Sequence, residues 1–137
     1  TGAIAHGYLV AHILGKPFCY VRPKPKDHGT GSQIEGILPE GAKVVIVEDL
    51  ISTGMSSLAA KNALVNAGAD VKGMVAIFSY NFNQARKAFE EANVELTTLS
   101  NYDTLIEVAS EIGYVKPTET EVLKEWRFSP STWGKNE

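Results

Sequence analysis

The stretch Val44-Val45-Ile46-Val47-Glu48-Asp49-Leu50-Ile51-Ser52-Thr53-Gly54-Met55-Ser56 holds the densest chemistry in the chain. A β-branched run delivers two adjacent carboxylates, and a turn rich in hydroxyls follows at once. A turn of this kind, if it opens a helix, suits a phosphate dianion: backbone N–H groups, the hydroxyls of Ser52, Thr53 and Ser56, and the positive end of the helix dipole converge on one point. Gly54 lets the backbone approach the ligand closely. Glu48 and Asp49 cannot ligate a phosphate, but they accept hydrogen bonds from a sugar diol or face a hydrated magnesium ion.

Each part has a plainer explanation, since a strand, a polar turn and an N-capped helix with two solvated acids occur together by chance. Only the full order is specific. No Gly-Lys-Ser/Thr phosphate loop is present, and Gly29-Thr30-Gly31 lacks the third glycine of a dinucleotide fingerprint. A second cluster, Arg22, Lys24, Lys26 and His28, gathers cations in one short segment, which in isolation reads as a solvated charge run. His6 and His12, six apart, do not stack on one helix face as metal ligands would, and read as structural or surface residues.

The elements that must hold these residues follow from periodicity. Ala3 to Leu14 is apolar at helical spacing and stops at Gly15; Pro17 to Val21 reads as a short buried strand. Residues 22–33, rich in Lys, Pro and Gly, form a long loop. Lys43 to Val47 has the continuous β-branched character of a central parallel strand covered on both faces. Ser56 to Ala67 follows as a helix ended by Gly68, then strand Val71 to Ser79, helix Asn83 to Ala92 and strand Val94 to Leu99. Asn101 is the expected N-cap of a helix Tyr102 to Ile112, and a short helix Glu119 to Trp126 follows Pro117. The alternation predicts an α/β domain, a parallel sheet flanked by helices, with ligands outside the carboxyl ends of the strands.

Composition agrees with one domain spanning residues 1–137: 13 basic against 16 acidic residues give a charge of −3, and 44% of residues are apolar. Nothing suggests the clustered positive field of a nucleic-acid or membrane-surface protein. A single cysteine, Cys19, excludes an internal disulfide and a cysteine-cluster metal site, and suits a reducing cytoplasm. No apolar stretch approaches the roughly 20 residues needed to span a bilayer. The chain starts at Thr1 on a helical pattern with no strand before it, which we read as an amino-terminally truncated fragment.

In full order, residues 44–56 resemble the phosphoribosyl pyrophosphate (PRPP) signature of the type I phosphoribosyltransferases. Residues 20–36, Tyr-Val-Arg-Pro-Lys-Pro-Lys-Asp-His-Gly-Thr-Gly-Ser-Gln-Ile-Glu-Gly, resemble the mobile catalytic loop of the orotate phosphoribosyltransferases, and residues 1–7 resemble the end of that family's pyrophosphate-loop segment. The resemblance implies a Rossmann-like core and an enzyme of pyrimidine biosynthesis that transfers the phosphoribosyl group from PRPP to orotate, with Mg2+ as cofactor. It implies catalytic roles for Lys26, Asp27 and His28 in the loop 22–33. PRPP contacts are implied for Arg22, Lys26, His28, Glu48, Asp49, Leu50, Ile51, Ser52, Thr53, Gly54, Met55 and Ser56, and an orotate contact for Ser52. It also implies a cytoplasmic homodimer whose loop reaches the partner's site.

Two departures stand out: Pro23 occupies a place where some relatives have a second loop lysine, and Ser79-Tyr80-Asn81-Phe82 lacks an arginine that some relatives use for orotate. Competing expectations are a PRPP-sensing regulatory domain that keeps the cradle without the chemistry, and a transferase for another base.

Overall fold

A computed structural model describes residues 1–24 and 32–133 of the chain. Helix α1 (Ile4–Ile13) leads to strand β1 (Cys19–Val21) and strand β2 (Ile34–Gly36), followed by β3 (Lys43–Ile51), α2 (Met55–Asn66), β4 (Asp70–Ser79), α3 (Asn83–Glu91), β5 (Leu96–Asn101), α4 (Tyr102–Glu111) and α5 (Pro117–Phe128). β3, β4 and β5 form a parallel sheet in that order, joined by the helical crossovers α2 and α3. Ile51 pairs with Ser79, and Ser79 with Asn101, so all three strands end level and their following turns open at one edge of the sheet.

The core lies between the sheet and the two crossover helices. Ile46, Met74 and Ala76 from the strands meet Leu64 of α2 and Ala85 and Phe89 of α3 in one buried cluster, with Ile51 fully enclosed. Alternation along β3 turns Val47 to the opposite face, where α1 crosses: a Cβ on Gly7 would stand 3.1 Å from Phe18 and 3.8 Å from Val47.

Local signals explain the element ends. The Asn101 side chain accepts the Thr104 N–H at 3.1 Å and caps α4. Pro117 at the first turn of α5, and a bond of 2.9 Å from the Lys116 N–H to the Glu119 carboxylate, start that helix two residues earlier than its periodicity suggests. β5 starts two residues later than expected, because Asn93, at φ 50°, and the Val94 N–H, bonded to the Phe89 carbonyl at 3.1 Å, still close off α3.

Two expectations are corrected. Among the described residues β1 joins no parallel sheet; it pairs antiparallel with Ile34–Gly36, a segment without a strand signal of its own. Arg22 and Gln33 extend that hairpin, the Arg22 N–H donating to the Gln33 carbonyl and the Gln33 amide to the Arg22 carbonyl, both at 2.8 Å. β3 is not central: among the described residues it is an edge strand with Val45 56% exposed, and β4 occupies the middle. A β-branched run records strand propensity, but the pairing partners decide how many faces and edges are covered.

Candidate active site

The carboxyl end of β3 carries Glu48 and Asp49, both half-buried. Ser57, two residues into α2 and 2% exposed, donates its hydroxyl to the Glu48 carboxylate. Burial pushes the Glu48 carboxyl above its ordinary range; the Ser57 hydroxyl pulls it back, and the neighbouring Asp49 charge adds to the rise. Asp49 accepts its neighbour Leu50's N–H at 2.9 Å. Its carboxylate also lies against Gly2, where any Cβ would collide with it. The start of α1 and the end of β3 are thereby packed together, with the acid beside a helix amino terminus.

Beyond Ile51, the turn 52–54 leads into α2. Gly54 is its N-cap, at φ 79° in the left-handed region, and no side chain caps the helix. The Leu58 N–H bonds the Gly54 carbonyl at 2.9 Å, which leaves the N–H groups of Met55, Ser56 and Ser57 at the helix mouth, where an anion fits. Phe89 of α3 sits directly behind the turn: a Cβ on Gly54 would stand 2.6 Å from its ring. Two independent constraints, backbone sign and lack of space, therefore require glycine there.

The sequence-predicted residues separate by what they can offer. Ser52 and Ser56 are exposed at the mouth and Thr53 is half-buried. Leu50 and Met55 are exposed and apolar, whereas the Ile51 side chain is wholly in the core, so only its main chain can face a ligand. Arg22 lies at the open end of the β1–β2 hairpin, its guanidinium 3.8 Å from Glu35. Lys26, Asp27 and His28 lie outside the described residues. Among the described residues no group of three or more His, Cys, Asp or Glu side chains could hold a metal ion. His6 and His12 are exposed. Trp126 packs in an aromatic cluster with Tyr80, Phe82 and Tyr102 at ring separations of 5.3 to 5.6 Å.

Three contributors escape a reading of the sequence. Ser57 has a signal only in hindsight, as the inward partner of the exposed Ser56 at the start of α2. Gly2 and Phe89 have none, because their roles come from contacts across the fold.

Comparison with known proteins agrees with this geometry. The phosphoribosyl transferase domain family matches residues 1–112. An orotate phosphoribosyltransferase of Porphyromonas gingivalis is 54% identical over 98% of this chain, which spans 64% of that relative's length. The crystal structure of orotate phosphoribosyltransferase from Aeropyrum pernix superposes with a TM-score of 0.72 at 31% identity, over 84% of this chain and 62% of that one. An adenine phosphoribosyltransferase of Thermoanaerobacter pseudethanolicus, at 24% identity and a TM-score of 0.61 over 74% of this chain and 66% of that one, shares the fold. No helix among the described residues is long and apolar enough to cross a membrane. A parallel sheet whose β3 ends in two acids and a glycine-gated helix mouth, matched over most of its length by one family, makes this chain a member of the phosphoribosyl transferase domain family.

Proposed function

We propose that the protein transfers the phosphoribosyl group of PRPP to orotate, giving orotidine 5′-monophosphate and pyrophosphate. The observation that carries this reading is the mouth of α2 behind Glu48 and Asp49, in a chain 54% identical to an orotate phosphoribosyltransferase. In the reaction the ring N1 of orotate forms a bond to C1 of the ribose as the C1–O bond to pyrophosphate breaks; the electron pair leaves with pyrophosphate, and the N1 proton passes to solvent. The amides and hydroxyls of 52–56 hold the 5′-phosphate, and Glu48 and Asp49 accept the ribose hydroxyls. Arg22, Lys26 and His28, on a catalytic loop of residues 22–33, neutralise charge growing on the leaving group, with Asp27 beside them. Preorganised cations at that point contribute most where the charge develops. A magnesium ion near Glu48 and Asp49, when bound, supplies further positive charge to the pyrophosphate oxygens. We place the working enzyme in the cytoplasm as a homodimer, with 1–137 as one core domain.

Product analysis with PRPP and, separately, orotate, uracil, hypoxanthine and adenine, with and without EDTA, tests the reading. The expected result is consumption of orotate alone, abolished by EDTA. Turnover of a purine overturns the substrate, binding of PRPP without any turnover favours a sensor, and undiminished turnover in EDTA removes the metal.

A further inference from the structure

Glu48 and Asp49 are neighbours in sequence but leave β3 on opposite faces of the sheet. Side chains alternate along a strand, so Glu48 shares the face of Ile46, which belongs to the core with Leu64 of α2, and Asp49 shares the face of Val47, which α1 crosses. The contacts agree. The Asp49 carboxylate lies against Gly2, just ahead of α1, and the Glu48 carboxylate accepts the hydroxyl of Ser57 in the first turn of α2. Two different elements therefore hold the two acids. A glutamate carboxylate on its flexible stem samples many positions unless a partner fixes it. Ser57 is 2% exposed, so its hydroxyl has no solvent to turn to and keeps to Glu48. The same residue also belongs to the anion side of the site. Its main-chain N–H stands with those of Met55 and Ser56 at the start of α2, ahead of the first bond of that helix, from the Leu58 N–H to the Gly54 carbonyl.

We propose that Ser57 is a positioning residue for sugar binding: its hydroxyl fixes the Glu48 carboxylate relative to the mouth of α2, so that a ligand whose phosphate sits on that mouth finds the acceptor for its ribose hydroxyls already in place. The inference rests on the transferase reading above and deepens it. An ionised carboxylate has room for about four hydrogen bonds, of which Ser57 takes one and leaves the rest to the ligand. Because the ribose hydroxyls are held alike before and during the reaction, loss of the Ser57 bond weakens binding more than it slows the chemical step.

The test is a double-mutant cycle in the full chain, made of Ser57→Ala, Glu48→Ala and the two together, with Ser57→Thr as the variant that keeps the hydroxyl. Ser57→Ala is expected to raise the KM for PRPP, and its Kd by calorimetry, about tenfold, with kcat within about twofold of wild type. Ser57→Thr is expected to stay within about threefold of wild type in KM and Kd. On the Glu48→Ala background, which has no carboxylate to place, Ser57→Ala should add less than about twofold, because the hydroxyl acts only through that acid. Should Ser57→Ala fail to fold, Ser57→Cys, which keeps the volume but is a weak donor, takes its place in the cycle. A loss of the same size with and without Glu48, or PRPP affinity unchanged in Ser57→Ala, means that Ser57 serves only the start of α2, and the proposal falls. If the coupling is found in PRPP binding yet wild type consumes no acceptor, the transferase reading falls and the role of Ser57 stands.

Discussion

Glu48 is held in opposing ways, half enclosed by protein and bonded to a hydroxyl buried with it. Burial wins, so its folded pKa lies above the unfolded value, and the sign of the pH effect follows. The contribution of Glu48 to stability is fully present below the ordinary carboxylate range and is lost as pH rises through the raised value. Glu48→Gln should therefore melt higher than wild type near neutrality, with the difference vanishing below about pH 4, near the ordinary glutamate value. Thermal midpoints of both proteins over about pH 4 to 8 check this; a variant that melts lower at neutrality means that the Ser57 bond outweighs burial. Lys26 answers to kinetics instead. If its ammonium acts on charge that grows at the leaving pyrophosphate, Lys26→Ala loses about 3 kcal/mol of transition-state stabilisation, a hundredfold or so in kcat, with little change in the KM for PRPP. A kcat within about twofold of wild type would reduce the loop to a solvated lid.

At the scale of elements, the turn 52–54 is shaped by a helix that follows it by nearly thirty residues. Phe89 is 4% exposed and fills the space behind Gly54, so Phe89→Ala should cost about 3 kcal/mol or more and also raise the KM for PRPP, as the turn loses its backing. Phe89→Leu should cost less on both counts. Equal stability loss in the two variants with no change in PRPP affinity would separate the core from the site. The contrast between Asn101 and Phe89 explains which parts of the fold are legible in the sequence. A cap such as Asn101 is written within three residues, as are the helix stops at Gly15, Gly68 and Gly113, and the acids and turn of 48–56 are contiguous. Phe89, Ser57 and Gly2 matter through partners distant in the chain. Ile34–Gly36 is too short to show alternation and becomes a strand only because Cys19–Val21 lies opposite, and the β3 run is as β-branched at an edge as it would be in the centre.

For the whole molecule, the question is whether one chain completes a site. The open end of the β1–β2 hairpin is fixed by the mutual bonds of Arg22 and Gln33, so both ends of the proposed catalytic loop leave from one point. Much of α1 and its C-cap is apolar yet outward-facing, with Ile13 71% and Leu14 63% exposed, surface that association with a second copy would cover. In a two-fold dimer with a loop long enough to cross the interface, each site takes its cations from one chain and its acids from the other. Lys26→Ala and Asp49→Asn subunits, each nearly inactive alone, then complement: in a mixed dimer one site carries both lesions and the other carries none. Activity after subunit exchange should rise with the fraction of hybrid towards half of the wild-type value per hybrid dimer. If exchange is demonstrated by mass and the mixture stays at the parental level, the loop serves its own chain, and Arg22, Lys26 and His28 must reach Glu48 and Asp49 of the same subunit.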